Sequence, residues 1–344
     1  MYILGINAYH GDAAAALIKD GRIVTAVEEE RFNRIKHCAG FPTQAIRYCL
    51  SAAGIEIEDV DHVGISRDPS AHLHKKVLAA AQRAAKQLAG SKQNAIASGQ
   101  SAGIGASVHT PITGPTVKES SLSSEAPAVP ENGNGHGLFQ QVADRLRNAA
   151  RVRDLKDELA RALGISKTQL RARFHNLEHH RAHLASSFFV SPFDRAALLS
   201  LDGFGDFIST MWAVGEGNSI EVLGQVEYPH SLGIVYTATT QFLGFPHYGD
   251  EGKVMGLAPY GQPRFIETFR EIVRIEEQGQ FRLDLDYFRH ASEGVEMTWN
   301  EGSPVIGRIF SDEYARAFGA PRRPHDALTD RDRDLAASLQ LRLE

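Results

Sequence analysis

Apolar and polar positions alternate along the start of the chain, and that alternation predicts strands. Residues 2–7 (YILGIN) read as a buried strand, and residues 13–18 and 22–27 flank an Asp20-Gly21 pair of the kind that closes a hairpin. Pro42 stands where a helix begins, apolar residues recur at helical spacing from Thr43 to Ala53, and Gly54 ends the run. Residues 61–66 (DHVGIS) return as another strand. A similar series comes later: a helix over 178–189, strands over 196–201, 207–214 and 220–226, and a helix over 233–243. A glycine-rich loop is expected over 245–261 and a final amphipathic helix over 330–343 that stops without a cap. Two meanders with helices between them predict an α/β fold of mixed sheets with flanking helices.

The pattern breaks between the two series. Helical stretches rich in Ala, Lys and Arg, about 71–89 and 139–163, flank residues 91–137, which lack periodicity and aromatic side chains. Such a segment buries too little to offset its ordering entropy, so it is expected to be a disordered insertion. The chain therefore divides into residues 1–70, an inserted 71–163, and a globular remainder over 164–344. Basic residues of the insertion, among them Lys75, Lys76, Arg83 and Arg145, read most simply as solvated helix faces.

Composition narrows the function. With 42% hydrophobic and 23% charged residues the chain can bury an ordinary core, and its net charge of -5 gives no broad reason to bind nucleic acid or an anionic membrane. Cys38 and Cys49 are too few for a disulfide framework, no secretion signal opens the chain, and no apolar run nears the ~20 residues that span a bilayer. These features point to the cytoplasm and a small polar substrate.

The sharpest chemical signal is Glu178-His179-His180-Arg181-Ala182-His183. His179 and His183, four apart on a helix, project from one face and can share a metal ion, while His180 points elsewhere. No glutamate follows the first histidine, so the general base of a zinc protease is missing. Downstream, the strand AALLSL runs into Asp202-Gly203-Phe204-Gly205-Asp206, which offers Asp202 as a third ligand and Gly203 and Gly205 as backbone approaches for a phosphate. Two histidines and a carboxylate suit iron(II) or zinc. In the first meander His10 can act as a general base on an alcohol, with Asp12 orienting it. The charged run Glu28 to His37 reads as a solvated helix start, and residues 248–261 carry glycines and Lys253 without the ending of a P-loop.

Taken in order, GINAYHGDAAAAL, AVEEERFNRIKH, EHHRAHLASSFFVSPFD, LLSLDGFGD and GDEGKVMGLAPYG resemble the NodU/CmcH family of carbamoyltransferases, over roughly residues 1–70 and 150–344. The resemblance implies an actin/hexokinase-like (ASKHA) ATPase-type domain, incomplete in its C-terminal half, with a YrdC-like domain following in full-length members. It implies ATP and carbamoyl phosphate as co-substrates, carbamoyladenylate as intermediate, and a hydroxyl of a sugar, antibiotic or other small molecule as acceptor. By position, His179, His183 and Asp202 match the family's metal ligands and His10 its proposed base; Lys36 and Lys253 are candidate phosphate contacts. The missing half or a YrdC-like domain is the expected partner, and this chain alone is expected to turn over little. A kinase-like ASKHA protein and a non-catalytic or split-enzyme fragment are the alternatives.

Overall fold

The computed structural model describes residues 1–81, 155–295, 297–300 and 303–344. Strands β1 (Tyr2–Asn7), β2 (Ala14–Lys19), β3 (Arg22–Glu28), β4 (His62–Ile65) and β5 (Arg173–Asn176) form a sheet in the order β3-β2-β1-β4-β5. The meander β1-β2-β3 is antiparallel, whereas β1, β4 and β5 run parallel. Asp20 and Gly21 both take positive φ (49° and 79°), the two-residue turn that the Asp-Gly pair predicts. Leu4, Ile6, Leu17, Val63 and Ile65 turn to one side of this sheet. There they bury Ile46, Cys49 and Leu50 of α1 (Thr43–Ala53) and Leu155 and Leu159 of α2 (Leu155–Leu163). Gly54 ends α1 in the left-handed conformation (φ 63°).

The second series builds a three-stranded antiparallel sheet from β6 (Arg195–Gly205), β7 (Ile208–Glu216) and β8 (Ser219–Glu227). Helix α3 (His179–Phe188) lays Leu184 and Phe188 against Leu198, Met211 and Ala213 of that sheet. A third core gathers α4 (Leu232–Phe242), α5 (Glu251–Leu257), α6 (Ile266–Ile272), α7 (Asp312–Phe318) and α8 (Asp330–Leu343) around Phe242, Phe269, Tyr314 and Phe318. Among the described residues no helix is long and apolar enough to cross a membrane. The expected insertion at 91–137 lies outside the described residues, as do residues 82–89 and 139–154 of its flanks.

Three expectations change. The 245–261 stretch is not a plain loop, because Glu251–Leu257 winds into α5. Its last glycine serves packing: a Cβ on Gly261 would lie 2.0 Å from the Arg333 carbonyl oxygen, so α8 docks there. Strand β6 runs on through Gly205 instead of stopping before Asp202. Glu29 is not solvated either; it is 6% exposed and its carboxylate accepts the backbone N–H groups of Gln44 (3.1 Å) and Ala45 (2.8 Å). Pro42 offers α1 no side-chain cap, so Glu29, just past the end of β3, satisfies the helix's open donors. Glu29→Ala should therefore destabilise the chain by about 1–3 kcal/mol in urea unfolding, with Glu29→Gln closer to wild type.

Candidate functional site

A tight turn sets the site. Gly205 pairs with Ile208, and the two residues between them, Asp206 and Phe207, both have positive φ (48° and 81°). That is the geometry of a type I′ hairpin, yet it places a bulky phenylalanine in the left-handed region at a cost of about 1–2 kcal/mol. The turn aims the Asp206 carboxylate, almost fully buried, at the start of α3, where it accepts from the backbone N–H of His179 (3.2 Å) and of Asp68 (2.8 Å). Glu178 accepts from the next two, His180 (3.0 Å) and Arg181 (2.9 Å). Each of the first three helix donors thus meets a carboxylate, which fixes the helix end that carries the histidines.

From that end His179 and His183 share a face. His180 turns into the protein, its Nδ1 2.8 Å from Ser200 Oγ and its Nε2 3.0 Å from the Ile208 carbonyl oxygen, and burial pushes its imidazole below the ordinary value. The ladder between β6 and β7 breaks between Leu201 and Gly205, within which Asp202 lies. Asp202 Oδ1 accepts from Gly203 N–H at 2.6 Å, and the Asp202 carbonyl oxygen accepts from Ser231 Oγ at 3.1 Å. Ser231 caps α4 with the same hydroxyl, so α4 and β6 together hold Asp202.

Three ligand atoms converge. His179 Nε2 lies 2.7 Å from Asp202 Oδ2 and 2.9 Å from His183 Nε2, and His183 Nε2 lies 3.8 Å from Asp202 Oδ2. The circle through these atoms has a radius of about 1.9 Å, so all three can reach one ion at the ~2.0–2.2 Å typical of zinc-type ligands. Gly205 completes the cradle: a Cβ there would lie 1.9 Å from His179 Cδ2, so only glycine leaves room for the ring. His10, from the β1–β2 loop, joins the group; its ligand atom and those of His179 and Asp202 lie within 4.8 Å of one another. The residues present therefore fit a divalent metal, and His10 is an addition to the set that the sequence suggests.

The electrostatics agree. Burial pushes the Asp202 carboxyl up, but the hydrogen bond from His179, the nearby His183 and the charge of His179 outweigh it and hold the group far below the usual carboxylate range. Burial lowers His179, yet its bond to Asp202 and that carboxylate's charge raise it above the ordinary imidazole value. Burial, and then the charge of His179, push His10 down, so it stays neutral and keeps a lone pair. In the metal-free chain the His179 contribution is complete below its unfolded value and disappears as pH rises through its raised folded value. The Asp202 contribution is complete above its unfolded value and disappears as pH falls through its lowered one. Chelator-treated wild type should therefore exceed Asp202→Asn in stability most between about pH 4 and 6.5, and the gap should narrow as pH rises. Thermal unfolding of both proteins across pH checks this.

A second group adjoins the first through Gly11. The sequence suggests that Asp12 orients His10, but Asp12 Oδ1 is 2.8 Å from His37 Nδ1, and His10 Nδ1 instead faces the Gly11 carbonyl oxygen at 3.3 Å. The Tyr248 ring packs edge-on against His37 with centroids 5.3 Å apart, and burial together with the charges of Asp12 and Asp202 pushes its phenol up to about 12. Arg67 Nη1 donates to the Tyr9 carbonyl oxygen at 3.0 Å, which ties the end of β4 to the His10 loop. Lys253 pairs with Asp250 at 2.7 Å, and Lys36 directly precedes His37. His37, Tyr248, Arg67 and Asp206 escape a reading by spacing, because loops far apart in sequence bring them together. The runs ending in His37 and opening at Tyr248 are visible as motifs, whereas Arg67 carries no local signal.

A family model described as the carbamoyltransferase N-terminus matches residues 2–344. The chain belongs to that family. A carbamoyltransferase N-terminal region is thus what the two meanders and the histidine site compose. An uncharacterized protein of Synechocystis sp. is 35% identical over 342 residues, covering 99% of this chain and 46% of its own length. The nodulation protein NolNO of Sinorhizobium fredii is 29% identical over 339 residues, 98% of this chain and 37% of that protein. NolO of Bradyrhizobium diazoefficiens is 35% identical over 169 residues. The chain spans less than half the length of these curated relatives.

Proposed function

We propose that the chain is the metal-holding, acceptor-side part of an O-carbamoyltransferase. It would pass the carbamoyl group of carbamoyl phosphate, by way of carbamoyladenylate, to a hydroxyl of a sugar, antibiotic or other small molecule. The observation that carries this reading is the convergence of His179, His183 and Asp202, joined by His10, in a chain of the carbamoyltransferase N-terminus family. Iron(II) or zinc held by these residues would neutralise charge on the donor's leaving phosphate.

The chain's own residues do the rest. Asp202 stays ionised at any physiological pH, and His10 stays neutral, so both offer lone pairs. Tyr248 keeps its phenolic proton and can donate it to a carbamoyl or phosphate oxygen. We assign Arg67, Lys36 and Lys253 to the anionic side of the donor. In this reading the two meanders belong to the first part of an actin/hexokinase-like fold. A further ATPase half and a YrdC-like domain, on the same polypeptide or in trans, would supply nucleotide binding and activation in the cytoplasm. Cys38 and Cys49, both unpaired thiols, suit that compartment.

The test supplies metal-replete chain with a methyl glucoside and, in turn, carbamoyladenylate or ATP with carbamoyl phosphate, and reads carbamoylated sugar by mass spectrometry. Product from carbamoyladenylate, but from ATP and carbamoyl phosphate only after the C-terminal part of the Synechocystis relative is added, is the expected result. A folded, metal-loaded chain that forms no product in any format would contradict the reading.

A further inference from the structure

We infer that His37, oriented by Asp12, is the group that takes the proton from the acceptor hydroxyl. The inference rests on the carbamoyl-transfer reading above and changes the residue expected to be its base.

An ionised carboxylate can only accept, so a neutral His37 bonded to Asp12 at 2.8 Å carries its proton on Nδ1 and its lone pair on Nε2. A carboxylate that sets the tautomer of an imidazole and leaves its far nitrogen to take a proton is the general arrangement of a base and its orienting group. His37 Nε2 has no hydrogen-bond partner among the described residues. It lies over Gly249, where a Cβ would be 2.4 Å away; Gly249 also has φ 84°, so glycine is required there twice over. The pair is reachable, with side chains 31% and 47% exposed.

Both residues sit in uncommon backbone conformations, Asp12 at φ 62° and His37 at φ 53°. Left-handed residues other than glycine are uncommon and cluster at functional sites. Here the two conformations turn separate loops toward each other. The pair adjoins the metal-binding group. Gly11 links Asp12 to His10, and the Tyr248 hydroxyl lies 2.9 Å from where a Gly11 Cβ would be.

His10 is less suited to the task. Its Nδ1 faces a carbonyl oxygen, which leaves Nε2 as its lone-pair nitrogen, and the ring stands among the metal-binding groups with its centroid 5.3 Å from that of His179. No carboxylate orients it in the way Asp12 orients His37. The two imidazoles divide the work, His10 on the donor side and His37 on the acceptor side. In the step itself the acceptor O–H bond breaks and its proton passes to His37 Nε2. The oxygen bonds the carbamoyl carbon, and the carbon–oxygen bond to phosphate breaks with its electron pair leaving on AMP. His37 then releases the proton to solvent.

The experiment uses the full metal-replete chain, carbamoyladenylate as donor and a methyl glucoside as acceptor. His37→Gln should lower kcat by about 100-fold or more with donor KM within about two-fold, and added imidazole should restore part of the rate to His37→Ala. Asp12→Asn should lower kcat in the same direction. A His37→Ala protein with kcat within about three-fold of wild type would overturn the inference. A wild type that transfers nothing would count against carbamoyl transfer itself, and imidazole 15N NMR of the wild type then decides the pair. An Nδ1–H ring at His37, changed in Asp12→Asn, supports it; an Nε2–H ring overturns it.

Discussion

Asp202→Ala is expected to abolish divalent-metal binding, with an affinity loss of at least about 100-fold, while the chain stays folded. Asp202 Oδ2 is the point on which both helix histidines converge, at 2.7 Å and 3.8 Å, and its carboxyl is the most strongly acidified group of the cluster. Without it, His179 and His183 hold the ion with two nitrogens and no compensating negative charge. The backbone around position 202 should survive, because Ser231 holds the carbonyl oxygen and not the side chain. Calorimetric titration of zinc into chelator-treated wild type and variant, with circular dichroism as the folding control, measures the effect. Wild-type affinity in the variant would show that the carboxylate is not a ligand.

Gly205→Ala should come next in size, and its sign is informative. By conformational entropy alone, Ala in place of a strand Gly would stabilise by roughly 0.5–1 kcal/mol. Here the added methyl would lie 1.9 Å from Cδ2 and 2.2 Å from Cγ of His179, whose Nε2 is held by Asp202. The ring is stiff and pinned at its far end, so ring or strand must move, and overpacking of this kind costs about 1–3 kcal/mol. The steric cost outweighs the entropy gain. We expect a net loss of stability and a metal affinity reduced about 10–100-fold. Gly203→Ala is the control, since nothing lies within 4 Å of its added methyl. Equal behaviour of the two variants in urea unfolding and zinc titration would refute the cradle.

Much of the fold is legible in the sequence because local signals agree with tertiary burial. The alternation in YILGIN becomes a strand with Leu4 and Ile6 buried, Asp20-Gly21 becomes the hairpin turn, and Gly54 becomes the helix cap. His179 and His183 are legible as a pair because helical spacing alone sets their common face. What eludes the sequence depends on contacts between distant segments. Glu29 looks like one of three exposed glutamates until the start of α1 is seen to need its carboxylate. Asp12 and His10 look like a pair because they are two apart, yet the left-handed turn at Asp12 sends its carboxylate to His37, 25 residues away. The glycines of DGFGD look like phosphate contacts; in the structure Gly203 donates to Asp202 and Gly205 makes room for His179.

Metal content after anaerobic purification tests the central claim most directly. Elemental analysis of wild type, His179→Ala and Asp202→Ala should find close to one iron or zinc per wild-type chain and almost none in either variant. A folded wild type without metal that takes up neither ion on titration, or variants that retain it in full, would contradict the assignment of this site.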